Sequence, residues 1–279
     1  MSSNSVVLAV GSHTWTPDNT TELDKLLNVM RKHKISIIDT ARSYGLGASE
    51  TVLGLKKLAN EDTPVEQQME AIQTLYKQET FEAFGVSNFT PEQVIEFYNY
   101  AKSKGYVLPT IYQSSYSLAV RQNETRLFPT LRKLGISIQA YSPMAGGLLS
   151  KTPEYIEQGK GNWDPNTPSG KIFRDLYYKP SYLKMLEEFG KLSEESGVSR
   201  SGLAYRWVRY HSALKAELGD EMILGSVTAQ QLEEAVTELD KGPLDAALVE
   251  KLESLWQLIK DDAPIDNLIS VRKVVRGFA

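Results

Sequence analysis

Ile37-Ile38-Asp39-Thr40-Ala41-Arg42-Ser43-Tyr44-Gly45 is the stretch whose reading decides the fold. A short apolar run ends in an acid, and a tyrosine follows five residues later in a Gly-bearing, turn-like segment. A parallel α/β fold presents an acid and a proton donor in this way, at the C-terminal end of a strand. Working outward, further short apolar, β-branched runs occur at 6–10, 35–39, 84–87, 110–114, 136–141 and 222–225. They lack polar/apolar alternation, which predicts strands buried on both faces. Between them lie helical patterns with start and stop signals. Thr63-Pro64-Val65-Glu66 and Thr90-Pro91-Glu92-Gln93 read as capping boxes with Pro at the first helical position, and Thr228 with Gln231 opens another helix. Gly105 and Gly135 read as stops. Repeated strand-then-helix order predicts a parallel sheet with crossover helices, an α/β chain of the (β/α)8 TIM-barrel type.

One place breaks the rhythm. After the strand at 35–39 come two helical patterns, 49–59 and 64–77, separated only by Asn60-Glu61-Asp62-Thr63. Four polar residues cannot hide a strand. The expectation is a barrel truncated to about six strands by an internal deletion.

Bulk properties agree with one domain over 1–279, since an α/β barrel typically needs about 250 residues. The formal charge of -4 and the lack of a basic cluster interleaved with aromatics give no reason to expect nucleic acid or an acidic membrane as partner. With no cysteine, disulfides, a thiolate nucleophile and a cysteine zinc site are excluded, and no metal site is expected. The apolar run at 6–10 is too short for a signal segment or a membrane span, so the default expectation is cytoplasmic. Residues 151–171, rich in Gly, Pro, Asn and Asp, read as one long loop, and the tail at 264–279 as a final short element or a pocket cover.

Polar residues recur at or just past the strand ends: Asp39 and Tyr44, Ser87 and Asn88, Gln113, Tyr141 and Ser142, Gly225 and Ser226. Any one of them reads as a helix cap; together they mark the face where parallel barrels build active sites. Here a family resemblance becomes specific. Gly85-Val86-Ser87-Asn88-Phe89, Tyr112-Gln113, Tyr141-Ser142-Pro143-Met144-Ala145-Gly146-Gly147-Leu148-Leu149 and Leu224-Gly225-Ser226 with Gln231-Leu232-Glu233-Glu234 stand in the order of aldo-keto reductase motifs. The chain resembles that family, and within it the aflatoxin-aldehyde reductases.

The resemblance implies an NADP(H)-dependent oxidoreductase that reduces an aldehyde or ketone, a small-molecule carbonyl, to an alcohol, in detoxification or secondary metabolism. It leaves room for a homodimer. Tyr44 would be the proton donor and Asp39 its charge partner, also beside the cofactor. Ser87, Asn88 and Gln113 would hold the carboxamide of the nicotinamide and Tyr141 would stack on its ring. Ser142, Pro143, Met144, Ala145, Gly146, Gly147, Leu148 and Leu149 would bring backbone to the pyrophosphate. Gly225, Ser226, Thr228, Gln231 and Glu234 would hold the adenosine end.

Two features depart from the family pattern at that end. Ala235 replaces a usual asparagine, and no Arg or Lys follows Ser226 for a 2′-phosphate; Lys171 or Arg174 would have to supply that charge. No Gly-x-Gly-x-x-Gly follows the first strand, which argues against a Rossmann site.

The family's catalytic lysine and histidine have no counterpart here. Of the three histidines, His33 and His211 read as solvated or capping, and His13 lies near the right face in the wrong segment. Lys56 and Lys57, beside the break, read as surface residues or as an ammonium brought toward Tyr44. Three readings stay open: a working reductase, a catalytically impaired protein that retains dinucleotide binding, and a chain whose recorded sequence has lost an internal coding segment.

Overall fold

The computed structural model describes residues 5–40 and 64–275. Tyr44, the expected helix over 49–59 with Lys56 and Lys57, and the junction Asn60-Glu61-Asp62-Thr63 lie outside the described residues. All six expected strands form: β1 (Val7–Gly11), β2 (Ile37–Asp39), β3 (Phe84–Ser87), β4 (Pro109–Ser115), β5 (Ser137–Tyr141) and β6 (Glu221–Gly225). They make one parallel sheet in the order β2-β1-β6-β5-β4-β3. Among the described residues β2 and β3 each pair on one side only, so the sheet is an open, truncated barrel.

The longer helices are α1 (Thr20–Lys32), α2 (Val65–Lys77), α3 (Pro91–Lys104), α4 (Phe128–Leu134), α5 (Pro153–Glu157), α6 (Pro168–Tyr177), α7 (Pro180–Ser196), α8 (Arg200–Tyr210), α9 (Ala229–Asp240), α10 (Ala246–Ile259) and α11 (Leu268–Val275). The reading of α3 holds in full: Gln93 N–H donates to Thr90 Oγ1, the Thr90 N–H donates back to Gln93 Oε1, and Gly105 ends the helix at φ 64°. At α2 the cap differs from the reading, because Pro64 is itself the N-cap and the helix starts at Val65.

Two expectations are corrected. Residues 151–171 are not one long loop: α5, a 3-10 turn at Gly161–Trp163 and the start of α6 occupy them. Thr152 caps α5 and Thr167 caps α6, each with Pro at the first turn, so these helices use the device read correctly at Thr90. The second correction concerns β5, which is not buried evenly on both faces, whereas β1 and β6 are buried at consecutive residues. In β5, Ile138 and Ala140 are fully buried while Ser137, Gln139 and Tyr141 are only half-buried. Leu8, Val10, Met222 and Leu224 join Ile138 and Ala140 in the helix-packed core. The other face carries Gln113, Gln139 and Glu221, where a closed barrel would stack branched apolar side chains.

This polar face is concave. In a flat sheet β2 and β4 would stand about 19 Å apart, at roughly 4.8 Å per strand. Instead Gln113 Nε2 donates a 2.8 Å hydrogen bond to Asp39 Oδ1. Only a strongly curled sheet brings those strand ends together. Beyond β3, Met69 of α2 packs on Phe97 and Ala101 of α3 in a small core of its own, and a cleft of about 530 Å³ lined by Ile72, Phe81, Phe84 and Phe97 runs beside β3. The tail forms α11, which docks on α6 where Ser270 donates to Asp175 at 2.5 Å and Lys273 pairs with it at 3.2 Å.

Candidate active site at the C-terminal end of the sheet

Strand register sets the site. Gly11 is level with both Asp39 and Gly225, and Gln113 is level with both Ser87 and Gln139. The strand-end residues therefore meet around one mouth. Ser12 N–H donates to the Asp39 carbonyl at 2.8 Å, and Ser87 Oγ donates to the Gln113 carbonyl at 2.9 Å. Gln113 Nε2, besides its bond to Asp39, lies 3.5 Å from Gln139 Oε1, and Gln139 Nε2 donates to Glu221 Oε2 at 2.7 Å. A polar relay thus runs from β2 through β4 and β5 to β6.

The backbone at this end is strained. Among the described residues five non-glycine residues have positive φ, and two of them, Lys34 and Glu79, simply follow the ends of α1 and α2. The other three are Asn88 at 60°, just past β3, and Ser142 at 57° and Ala145 at 49°, just past β5. Each left-handed non-glycine residue costs about 1–2 kcal/mol, and such residues concentrate at functional sites. Tyr112 holds the first of these turns: its hydroxyl donates to the Phe89 carbonyl at 2.8 Å and accepts from the Phe89 N–H at 3.0 Å. Tyr112 was visible only as half of the Tyr112-Gln113 motif, and its anchoring role depends on a contact across strands.

Ser87, Asn88, Gln113 and Tyr141 stand at the mouth as expected, with the Asn88 side chain exposed. Burial pushes the Tyr112 phenol up to about 12 and the Tyr141 phenol higher still, with Asp266 adding to both. Both stay neutral near pH 7, fit for donating a hydrogen bond or offering a ring face rather than for ionising.

In the segment after β5 the side chains of Pro143, Ala145, Leu148 and Leu149 are buried and Met144 packs against the core, while Ser142 is half-buried. Gly146 has a left-handed backbone. Its φ is 67°, and a Cβ on it would come within 2.1 Å of the Phe173 ring, so Phe173 already fills the space a side chain would take. Gly147, at φ 91°, has nothing within 4 Å of a Cβ and leaves backbone open.

At the other side of the mouth, Thr228 caps α9 by accepting from the Gln231 N–H at 3.2 Å, and Gln231 Oε1 accepts from the Val227 N–H at 2.9 Å. Glu234 accepts from Gln230 at 2.8 Å, and Ala235 is buried in the core. Lys171 is exposed on the first turn of α6, while Arg174 stacks 3.8 Å from the Tyr178 ring and donates to the Ile156 carbonyl. His33 pairs with Glu233 at 3.1 Å, and His211 Nε2 accepts from the Leu244 N–H at 2.8 Å, so both lie in structural contacts. His13 alone of the three histidines reaches the mouth: its Cε1 would be 3.4 Å from a Cβ on Gly225. Partial burial lowers the His13 pKa, and the Asp39 charge opposes that shift.

A nicotinamide dinucleotide fits several of these features. The buried hydroxyls of Thr40 and Ser226 have no hydrogen-bond partner among the described residues, and buried polar groups of this kind call for one. Gly147 leaves open space at one side of the mouth, and at the other Gly225 lies beside His13. Glu22, from α1, was not legible as part of the site; its Oε1 accepts from the Ala229 N–H at 2.6 Å at the start of α9.

Known proteins agree with this geometry. The model of the "Aldo/keto reductase family" matches residues 58–257. The oxidoreductase sirO of Leptosphaeria maculans is 38% identical and matches over 87% of this chain and 88% of its own length. That match runs over 288 positions, more than the 279 residues of this chain, so some of them have no counterpart here. Human aflatoxin B1 aldehyde reductase member 2 is 34% identical over 72% of this chain and 58% of its own. Among solved structures, a glycerol dehydrogenase of Gluconobacter oxydans superposes with a TM-score of 0.67 at 20% identity, over 95% of this chain and 98% of that one, which speaks for the fold. With the curled parallel sheet, the ordered strand-end motifs and these matches in agreement, the chain belongs to the aldo/keto reductase family, on the side of the aflatoxin aldehyde reductases.

Proposed function

We propose that the chain is a nicotinamide-dinucleotide-dependent oxidoreductase that reduces an aldehyde or ketone to an alcohol at the C-terminal end of the sheet. The observation that carries this is the convergence of Asp39, Ser87 and Gln113 from three strands into one hydrogen-bonded set. When bound, the dinucleotide supplies the hydride. Asn88 and the free valences of Ser87 and Gln113 orient the carboxamide, and the neutral Tyr141 offers a ring face. Tyr44, five residues past Asp39, gives the carbonyl oxygen its proton. Asp39, fixed by Gln113, is the acid nearest Tyr44 in sequence. Detoxification or secondary metabolism is the setting the family resemblance suggests.

A second reading, a dinucleotide-binding protein with little turnover, is favoured by a specific observation. Two of the three histidines are committed to structural contacts away from the mouth. In this reading the segment that would carry the family's lysine and histidine lies among the positions without a counterpart.

The test is consumption of reduced dinucleotide with a panel of aromatic and aliphatic aldehydes. The reductase reading expects aldehyde-dependent turnover that falls at least about a hundredfold in Tyr44→Phe, the usual scale of a positioned proton donor. Binding without turnover in the unaltered chain would give the second reading its support.

A further inference from the structure

Resting on the reductase reading above, we propose that His13 is a further catalytic residue of the mouth, whose imidazole N–H donates a hydrogen bond to the oxygen of the carbonyl substrate.

His13 stands in a tight turn that is held from three sides. The Trp15 N–H donates to the Ser12 carbonyl at 2.9 Å and closes the turn Ser12-His13-Thr14-Trp15. On one side the Ser12 N–H donates to the Asp39 carbonyl on β2 at 2.8 Å. On the other, Thr14 Oγ1 donates to the Ser226 carbonyl just past β6 at 3.2 Å. Trp15, buried, roots the turn in the core. Gly11, the last residue of β1, is level with both Asp39 and Gly225, so the turn rises between them. Gly225 has no side chain to crowd the ring, and a Cβ there would lie 3.4 Å from His13 Cε1.

An exposed histidine on a loop is ordinarily a solvated one. Here the backbone that carries it is pinned to both neighbouring strands, while His13 itself is exposed, so a ligand in the mouth can reach it. A donor fixed before the ligand arrives is the kind that stabilises developing charge. Protein on the far side of the ring holds the imidazole below its ordinary pKa, with the Asp39 charge opposing, so it is neutral at pH 7. A neutral imidazole keeps one ring N–H as a donor in either tautomer. Of the described residues named around it, Asp39 carries charge and Ser12, Thr14, Gly225 and Ser226 carry none.

Asp39 also marks where the donor acts. Gln113 is bonded to it across the mouth, His13 feels its charge from β1, and Tyr44 follows it five residues on. In the reductase reading the carbonyl carbon takes the hydride and its oxygen takes the Tyr44 proton. The His13 N–H stays on the ring throughout and stabilises the charge that gathers on that oxygen.

The experiment compares the full chain with His13→Gln, which keeps an N–H donor without a titratable ring, and His13→Leu, which removes the donor. With benzaldehyde and reduced dinucleotide, His13→Leu should lose about a hundredfold in kcat, the lower end for one donor to a developing oxyanion, and His13→Gln should keep most of the rate. Dinucleotide affinity should be the same throughout. Benzoate serves as an unreactive stand-in for the charged oxygen, titrated calorimetrically onto the chain saturated with oxidised dinucleotide. An anion beside His13 favours the imidazolium, so benzoate should bind about tenfold tighter at about pH 5 than at about pH 8. Histidine-detected NMR should show the His13 midpoint rising as benzoate binds, and in His13→Gln the pH dependence should flatten. Should His13→Leu fail to fold, the NMR midpoint of the unaltered chain decides. Benzoate binding that is flat with pH, or a His13→Leu chain that turns over normally or loses only dinucleotide affinity, would overturn the inference and leave the reductase reading standing. No turnover in the unaltered chain, with benzoate following pH as expected, would set that reading aside and keep His13 as the contact for the substrate oxygen. Failure of the dinucleotide to bind would overturn both.

Discussion

Gln113 Nε2 and Asp39 Oδ1 stand 2.8 Å apart across the mouth of the sheet and join β4 to the edge strand β2. Three strands lie between them in the sheet order, so this single contact reports the curl of the whole sheet. It also places a neutral amide against the carboxylate from which the active-site reading begins. Gln113→Leu should lower stability by about 1–3 kcal/mol, because it leaves a partly buried carboxylate one donor short. Asp39→Asn keeps an acceptor toward Gln113 and should lose less. Urea denaturation of the variants checks the ranking, which a larger loss in Asp39→Asn would reverse.

The glycine pair after β5 separates two physical effects. Gly146 needs both a positive φ and empty space for Phe173, whereas Gly147 needs the positive φ alone. Gly146→Ala should therefore destabilise by about 2–5 kcal/mol, combining left-handed strain with overpacking. Gly147→Ala should cost about 1–2 kcal/mol. Adding Phe173→Ala to Gly146→Ala should recover part of its loss, and thermal melts of the double-mutant cycle would show whether it does.

Tyr112 is the pin beneath the turn that carries Asn88. Tyr112→Phe removes the hydroxyl that both donates to and accepts from Phe89, and should cost about 1–3 kcal/mol. Hydrogen exchange should show the Phe89 amide losing protection before the amides of β4. Uniform loss of protection across the sheet would mean that the hydroxyl does not hold this turn specifically.

His13 gives a pH signature for the mouth. Its pKa is lowered from the ordinary 6.5 by burial, and the Asp39 charge pulls it back up. Histidine-detected NMR should place its midpoint below 6.5, and Asp39→Asn should lower it further. The linkage follows from the direction: a His with a depressed folded pKa favours the folded state above the unfolded pKa, and that contribution is lost as pH falls below about 6.5. His13→Gln should remove this part of the acid sensitivity. A midpoint that rises in Asp39→Asn would separate the two residues.

Much of this arrangement was legible in the chain itself. Each strand announced itself by a short β-branched run, and Thr90, Gly105 and Gly135 marked helix ends by local chemistry alone. The helices within 151–171 escaped because Gly159, Gly161 and Gly170 mask their short periodicity, although Thr152-Pro153 and Thr167-Pro168 repeat the cap read at Thr90. The polar concave face escaped for another reason. Gln139 sits in a strand read among apolar runs, and Glu221 lies one residue before the run at 222–225, until burial and pairing show which side packs under helices. Contacts that depend on strand order, such as Gln113 with Asp39, or on a distant helix, such as Glu22 with Ala229, leave no mark in local sequence. The family motifs located the cradle, but Phe173 against Gly146 and Gln231 against Val227 show side chains and donors there already committed.

The most direct measurement of the reductase reading is transfer of isotope. The chain is incubated with reduced dinucleotide deuterated at C4 of the nicotinamide and an aldehyde, and the alcohol is analysed by mass spectrometry. One deuterium on the carbinol carbon, formed by the unaltered chain and lost in Tyr44→Phe, is the predicted result. Dinucleotide that binds tightly while no labelled alcohol forms would contradict it.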